Sequence, residues 1–236
     1  MQDNAYLKCI NPKCSLEYPI SSTNVQCEKG HVLDVKYKNK SSPNLKETFY
    51  QRRNSKGSIF NESGVWRFRE LLNFCQIDTE DNDECAKFLV SLDGAEGRQS
   101  KPYQMSKAAE FIGINKEGLW LQPEGYNPSG SFKDNGMATA VTHAKLVGAK
   151  KIVCASTGNT SASAGMFAAN EGIKCDVYIP AGQIAPGKLS QAYQFGAQII
   201  QVEGNFDDAL KQSLDDAKNY DGYTVNSVNP FGMVLI

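Results

Sequence analysis

At 236 residues the chain is long enough for one sizeable domain, or two smaller ones, each with its own hydrophobic core. An apolar fraction of 41% with 22% charged residues and a formal net charge of -1 excludes a disordered polyelectrolyte and gives no reason to expect nucleic acid as a partner. Seven cysteines, an odd number with no even framework, exclude a secreted disulfide scaffold and read as reduced thiols.

The first 40 residues form a distinct segment. Cys9 and Cys14 precede a short polar stretch, Cys27 and His31 follow it, and the alternating run 32–37 reads as a strand. A pair, a loop, a second pair and a strand is the layout of a zinc ribbon, in which four soft or borderline ligands meet tetrahedrally. The four- and three-residue gaps are looser than the usual two-residue spacing. On the other reading the three cysteines are small buried hydrophobes in a β-rich cap, and His31 is a surface residue after the Gly30 turn. Residues 41–64 are polar, rich in Lys, Asn and Ser, and read as a linker. A helix is expected over 65–74, where Trp66, Leu71, Leu72 and Phe74 supply an apolar side; an acidic stretch, 78–84, separates it from a short strand at 86–92.

From 103 onward helices and strands alternate. Helices are expected at about 103–113, 133–146, 161–170, 187–195 and 206–219, and strands at 118–124, 150–156, 174–180, 197–204 and 223–228. Short apolar runs alternating with helices are the pattern of an α/β fold, a mostly parallel sheet covered on both faces. Ligands in such sheets sit beyond the carboxyl ends of the strands, where loops feed helix N-termini.

Two loops occupy that position. Residues 127–131, "NPSGS", put Lys133 in the first turn of its helix, where the positive end of the helix dipole disfavours a cation. A neutral amine there could condense with an aldehyde. By position alone, an exposed lysine paired with Asp134 or Glu124 explains the residue as well. The second loop, Ser156-Thr157-Gly158-Asn159-Thr160-Ser161, follows a buried strand; its hydroxyls and backbone N–H groups can surround an anion, and Asn159 offers both donors and acceptors. By itself it is an anion site or an N-cap.

Together, "NPSGSFKDNGM", "CASTGNTSAS", "PAGQIAPGKLSQAYQFGAQIIQVEGNFDDAL" and "VNSVNPF" resemble, in order, the threonine synthases, pyridoxal-phosphate enzymes of the tryptophan-synthase β-subunit fold (fold type II). The N-terminal "CINPKCSLEYP" and "GHVLDVKY" resemble them too. The resemblance implies open, mostly parallel sheets over 65–236, with a smaller α/β subdomain at about 133–227, and pyridoxal 5'-phosphate as cofactor. It implies that Lys133 bonds to the cofactor aldehyde and shuttles protons, that Phe132 flanks the cofactor, and that Asn159 hydrogen-bonds its ring hydroxyl. Ser156, Thr157 and Thr160 would hold the substrate carboxylate or phosphate, with Asn226 and Ser227 on the substrate side and Lys188 a further anion-site candidate. The implied reaction converts O-phospho-L-homoserine and water to L-threonine and phosphate.

The chain departs from that pattern in several places. Family members generally carry arginine where this chain has Asn135 and Gly232, and the second of these belongs to the substrate phosphate clamp. The early glycine-glutamate-glycine loop is represented by "DGAEGRQSKPYQ", with Glu96 kept and Lys101 before the proline. The family continues for well over a hundred residues beyond "VNSVNPF", and those residues carry the cofactor-phosphate loop and the side chain facing the pyridine nitrogen. The sequence is therefore expected to be a truncated relative whose exposed edge is covered by a homodimer or another partner. A serine/threonine dehydratase, another phosphate-eliminating lyase, and a non-catalytic binding protein remain open alternatives. No stretch has the order of a signal peptide, and none approaches the ~20 apolar residues of a membrane helix; the expected location is cytoplasmic, with plastid or mitochondrial matrix as alternatives.

Overall fold

The structure, a computed structural model, describes residues 5–38, 44–55, 58–72, 89–92, 94, 95, 97, 102–182, 186–219 and 221–233. At the N-terminus, β1 (Ala5–Cys9) lies between β2 (Glu17–Pro19) and β3 (Leu33–Tyr37), antiparallel to both. Alternation along β1 turns Ala5, Leu7 and Cys9 inward while Tyr6 and Lys8 stay half-exposed. These inward residues join one apolar cluster with Val65, Trp66, Met137, Val141 and Ile152, so the small sheet packs against the rest of the chain.

The stretch expected to be a linker contains the helix Leu45–Asn54, which buries none of its residues, and the short helix Ile59–Glu62. Arg52 fastens the first of these by a forked ion pair with Glu70, with 2.6 Å between one guanidinium nitrogen and Oε2. In place of the helix expected at 65–74, residues Trp66–Leu71 form a 3-10 stretch interrupted at Phe68. Local bonds explain the tighter winding: the Ser63 hydroxyl accepts from the N–H groups of Val65 and Trp66, and the buried Trp66 indole donates to the Val90 carbonyl at 2.7 Å. Residues 89–92 of the expected strand are not in a strand. Its first residues, the acidic stretch, Glu96 and Lys101 lie outside the described residues.

β4 (Tyr103–Gln104) pairs antiparallel with β5 (Trp120–Leu121), so the apolar run expected to be a sheet strand forms an exposed two-residue ladder instead. Between them, the helix Ser106–Phe111 starts later than expected because 103–104 are spent in β4.

The parallel sheet consists of β6 (Lys151–Ala155), β7 (Lys174–Pro180), β8 (Gln198–Val202) and β9 (Gly222–Thr224), in spatial order β8-β7-β6-β9. Helices cover both of its faces. Ile152, Cys154, Val177 and Ile179 point to the face shared with Met137, Val141, Ala164 and Phe167 of the helices Lys133–Leu146 and Asn159–Glu171. Val153, Ala155 and Tyr178 point the other way, to Ala209 of the helix Phe206–Asn219. Burial on both sides is why β6 and β7 read as continuous apolar runs rather than alternating ones. The helix Pro186–Gln194 also falls where the sequence placed one. Among the described residues no helix is long and apolar enough to cross a membrane.

Candidate active site

The strand ends that matter are those of β6 and β9. Beyond β9, Val225 continues the ladder by donating to the Val153 carbonyl at 2.9 Å. Next to it the Asn226 side chain clasps Ala155: Oδ1 accepts from the Ala155 N–H at 3.0 Å and Nδ2 donates to its carbonyl at 2.9 Å. Both ends of the Asn226 amide are thus committed to backbone, and Asn226 acts as a bracket joining the two strand ends. Asn229 repeats the device one turn on, donating to the Thr224 carbonyl and accepting from the N–H groups of Phe231 and Gly232.

Lys133 is the first residue of its helix. Its N–H donates to the Ser131 hydroxyl, and its ammonium lies 4.5 Å from the centre of the Phe132 ring. The carboxylates suggested by position are engaged elsewhere. Asp134, fully buried, accepts from the Ser129 N–H at 2.8 Å, the Ser129 hydroxyl at 2.5 Å and the Ser163 hydroxyl at 2.6 Å. Glu124 accepts from Asn127 and Asn135. Asn127 in turn ties the loop to itself, donating to the Ser131 carbonyl and accepting from the Gly97 N–H. Among the described residues no carboxylate pairs with Lys133, and the reading of Lys133 as a surface lysine paired with Asp134 or Glu124 is set aside.

Lys133, Thr160, Asn226 and Ser227 line one small cleft together with Gly136, Met137, Val225 and Gly232. Its volume is about 20 Å³, room for a water rather than a ring, so a larger ligand would rest across its mouth. Ser156, Thr157 and Asn159 lie on the adjoining loop. The Ser156 hydroxyl accepts from the Gly158 N–H, whereas the side chains of Thr157, Asn159, Thr160 and Ser227 carry no hydrogen bond among the described residues. Asn159 is exposed and begins a 13-residue helix whose first N–H groups are open to an acceptor. Phe132 is 40% exposed beside the amine. Lys188 lies in a helix, and its side chain is outside the described residues.

Asn135, one of the departures, donates to Glu124 while its Oδ1 is buried without a hydrogen-bond partner. At Gly232, the other departure, the backbone packs against Gly136 closely enough that a Cβ built on Gly136 would sit 2.4 Å from the Gly232 carbonyl oxygen. The sequence reading missed the roles of Asp134, Ser163, Asn127 and Asn229. An aspartate one residue past the lysine was visible, but its partner Ser163 is 29 positions away, with no local pattern linking them.

A second cluster lies in the N-terminal sheet. The ligand atoms of Cys9, Cys14, Cys27 and His31 all fall within 4.8 Å of one another; the thiols are buried and the imidazole half-buried. His31 Nδ1 is 3.6 Å from the Cys9 sulfur and 3.7 Å from that of Cys27. Burial opposes ionisation of Cys27, but backbone groups of His31 and Lys29, then the Cys9 and His31 side chains, outweigh it and bring the thiol down to about 7. Three thiols and an imidazole at these distances could hold a metal ion.

A parallel sheet covered on both faces, with an amine that no described carboxylate pairs and an open hydroxyl-amide loop at the same strand ends, could hold a small anionic ligand carrying an amine-reactive carbonyl. The chain belongs to the pyridoxal-phosphate dependent enzyme family, which its residues 99–235 match. It is similar to the threonine synthase of Methanocaldococcus jannaschii, 39% identical over 224 residues, covering 95% of this chain and 50% of that one. Over 113 residues it is 58% identical to the threonine synthase of a Bacillus species, covering 48% of this chain and 32% of the other. The chain thus spans about half or less of the length of these relatives. Among solved structures, apo diaminopropionate ammonia lyase of Escherichia coli superposes with a TM-score of 0.51 at 18% identity, covering 58% of this chain and 43% of that one. Maize serine racemase superposes with a TM-score of 0.50 at 18% identity, covering 58% and 41%. Those two likenesses concern the fold.

Among the described residues, those present fit the aldehyde and ring side of pyridoxal phosphate: an amine without a counter-ion, an aromatic ring against it, and an amide and hydroxyls whose hydrogen-bonding capacity is unspent.

Proposed function

We propose that the chain supplies the lysine-bearing side of a pyridoxal-phosphate-dependent lyase site for small amino-acid substrates. Its finer reading is the threonine-synthase reaction, O-phospho-L-homoserine and water to L-threonine and phosphate. The observation that carries the proposal is the amine of Lys133, which pairs with no carboxylate among the described residues while Asp134 and Glu124 are bound by other donors. Identity to the two threonine synthases supports the finer reading.

In this reading Lys133 would hold the cofactor by its aldehyde, with Phe132 beside the ring and Asn159 as hydrogen-bond partner of the ring hydroxyl. Pyridoxal phosphate, when bound, supplies an electron sink for negative charge on the carbons beside the substrate nitrogen. The residues of this chain do the rest. Lys133 Nζ would move protons between substrate carbons as a general base and acid. Thr157, Thr160 and the open N–H groups of the helix Asn159–Glu171 hold the substrate carboxylate, while Ser156 shapes their loop through Gly158. Asn226 keeps the β6 and β9 ends at a fixed spacing, and the exposed Ser227 hydroxyl at the cleft faces substrate. The Cys9, Cys14, Cys27 and His31 set we read as a zinc site, its soft thiol donors suiting that ion.

A second reading is favoured by one observation. Gly232 lines the cleft where the resemblance expects a phosphate-clamping arginine, and Lys133 is the sole cationic residue lining it among the described residues. A dehydratase acting on serine or threonine needs no such clamp.

Pyridoxal phosphate added to the wild type and to Lys133→Ala, followed by borohydride reduction and peptide mass spectrometry, tests the site. The expected result is a covalent adduct on the peptide carrying Lys133, absent from the variant; no adduct on the wild type would sink the proposal. Phosphate release from O-phosphohomoserine, against ammonia release from serine or threonine, then decides between the two reactions.

A further inference from the structure

The helix that begins at Lys133 is gripped near its far end by His143, which is fully buried. His143 Nε2 lies 2.8 Å from the Ile20 carbonyl and Nδ1 2.8 Å from the Tyr223 hydroxyl. A carbonyl can only accept, so Nε2 carries the hydrogen and Nδ1 accepts from Tyr223. The imidazole also stacks on Phe231 with ring centres 3.5 Å apart, and the Phe231 carbonyl accepts from Thr139 of the same helix. Three separate segments therefore meet at one side chain: β9, the segment after it, and the N-terminal sheet.

The N-terminal contact differs from the other two in how it is held. Ile20 sits just beyond β2, in the stretch between Cys14 and Cys27, and is itself buried. Two of the four cluster donors bracket this stretch. Cys9, at the end of β1, and His31, just before β3, complete the set. The sheet that presents Ile20 is small: β1 pairs with only three residues of β2 and five of β3. Its ends are joined at the cluster, where the Cys9 and Cys27 sulfurs are 3.8 Å apart. Its inward residues and Ile20 pack onto the main core, but strands this short leave the loops between them weakly fixed, and a bound metal is a common means of holding such loops.

We propose that zinc bound by Cys9, Cys14, Cys27 and His31 holds the N-terminal sheet so that the Ile20 carbonyl meets His143, and that metal occupancy thereby controls how firmly the helix carrying Lys133 is seated. The inference rests on the zinc reading given above and adds its consequence for the active-site helix. Release of the ion frees the Cys14-to-Cys27 stretch, withdraws the acceptor from His143 Nε2, and loosens the helix from its C-terminal end. The ion takes no part in the chemistry at Lys133; it acts on that residue through the helix backbone.

The test uses the full chain, purified under reducing conditions, with zinc content measured by elemental analysis before and after chelation. Amide hydrogen exchange is followed by mass spectrometry in two helices, Lys133–Leu146 and Asn159–Glu171, the second serving as internal reference. About one zinc per chain is expected, and its removal should speed exchange over 139–146 at least 10-fold while leaving the reference helix within twofold. Re-addition of zinc should restore protection. His143→Phe, which keeps the stack on Phe231 and loses the bond to Ile20, should still bind one zinc but show exchange over 139–146 that no longer responds to chelation. Failure of the zinc reading and failure of the coupling are separable. No zinc in the purified chain and none taken up by the reduced one, or a Cys9–Cys27 disulfide in its place, overturns both. One zinc whose removal leaves both helices unchanged, or loosens both equally, overturns the coupling alone.

Discussion

Replacing Gly136 by alanine sets two effects of similar size against each other. Within a helix, alanine is favoured over glycine by about 1 kcal/mol. At position 136, however, the new Cβ would lie 2.4 Å from the Gly232 carbonyl oxygen, 3.3 Å from its carbonyl carbon and 3.5 Å from its Cα. The obstacle is backbone, so the helix Lys133–Leu146 and the segment Pro230–Met233 must separate by roughly 1 Å to reach an ordinary contact. Overpacking of this kind costs about 1–3 kcal/mol. The same shift strains the Thr139 hydrogen bond to the Phe231 carbonyl, worth a further ~1 kcal/mol. The balance is a net loss of about 1–3 kcal/mol. Gly165→Ala is the control, because the Cβ there meets Phe195 and Ala192 at 3.4 and 3.5 Å, ordinary contact distances, within a second helix. Urea unfolding should therefore show Gly165→Ala as stable as the wild type or up to ~1 kcal/mol more so, and Gly136→Ala clearly less stable. Equal shifts in the two variants would refute the argument that backbone contact fixes glycine at 136.

Three further outcomes follow from the same geometry. Asp134→Asn turns an amide nitrogen toward donors that the carboxylate now satisfies, and should cost about 2–4 kcal/mol in urea unfolding; Ser163→Ala, which removes one of the three bonds, should cost about 1–2 kcal/mol. Burial brings the His143 imidazole down to about 4, outweighing the backbone bond to Ile20, which acts in the opposite direction. Between the ordinary value near 6.5 and that depressed value the unfolded chain binds the extra proton, so stability is complete above about 6.5 and is lost as pH falls through this window. The loss amounts to about 2 kcal/mol by pH 5 and about 3 kcal/mol at its limit. Unfolding midpoints of the wild type and His143→Gln between pH 7.5 and 5 should differ by that slope; parallel pH profiles would show that His143 does not carry it. At Gly232 a Cβ would meet only the Gly136 oxygen at 3.6 Å and the Ala140 Cβ at 3.8 Å, so Gly232→Arg can place a guanidinium at the cleft rim without moving backbone. It should tighten inorganic phosphate binding, measured by calorimetry, by about 10-fold or more, and an unchanged affinity would remove Gly232 from the phosphate argument.

The alternation of apolar runs and helices from Lys133 onward was legible in the sequence because the two central strands of the parallel sheet, β6 and β7, are buried on both faces and so are mostly apolar. The bounds of the helices Lys133–Leu146 and Phe206–Asn219 were readable for the same kind of local reason: turn residues precede each, and apolar residues recur at helical spacing within them. Upstream the reading was poorer. The run around Trp120 has strand composition, but a strand is made by its partner, and the available partner was the two-residue β4. At 66–71 the tighter winding follows from bonds to Ser63 and Val90 that no periodicity reveals.

The candidate site divides along the same line. By itself the sequence determined which chemical groups are present and that each stands at the start of a helix: the amine of Lys133, the amide of Asn159, and the hydroxyls beside it. The likeness of those stretches to one family of enzymes was equally a property of the sequence. Only the tertiary structure decided which of these groups are free to act. It spends Asp134 on Ser129 and Ser163, spends Asn226 on Ala155, and pairs Lys133 with no carboxylate among the described residues. It also brings Ile20 to His143 across 123 positions. The physical reason is that a hydrogen-bonding group is defined by its partner as much as by its own chemistry, and partners dozens of residues apart meet only once the sheet has been assembled.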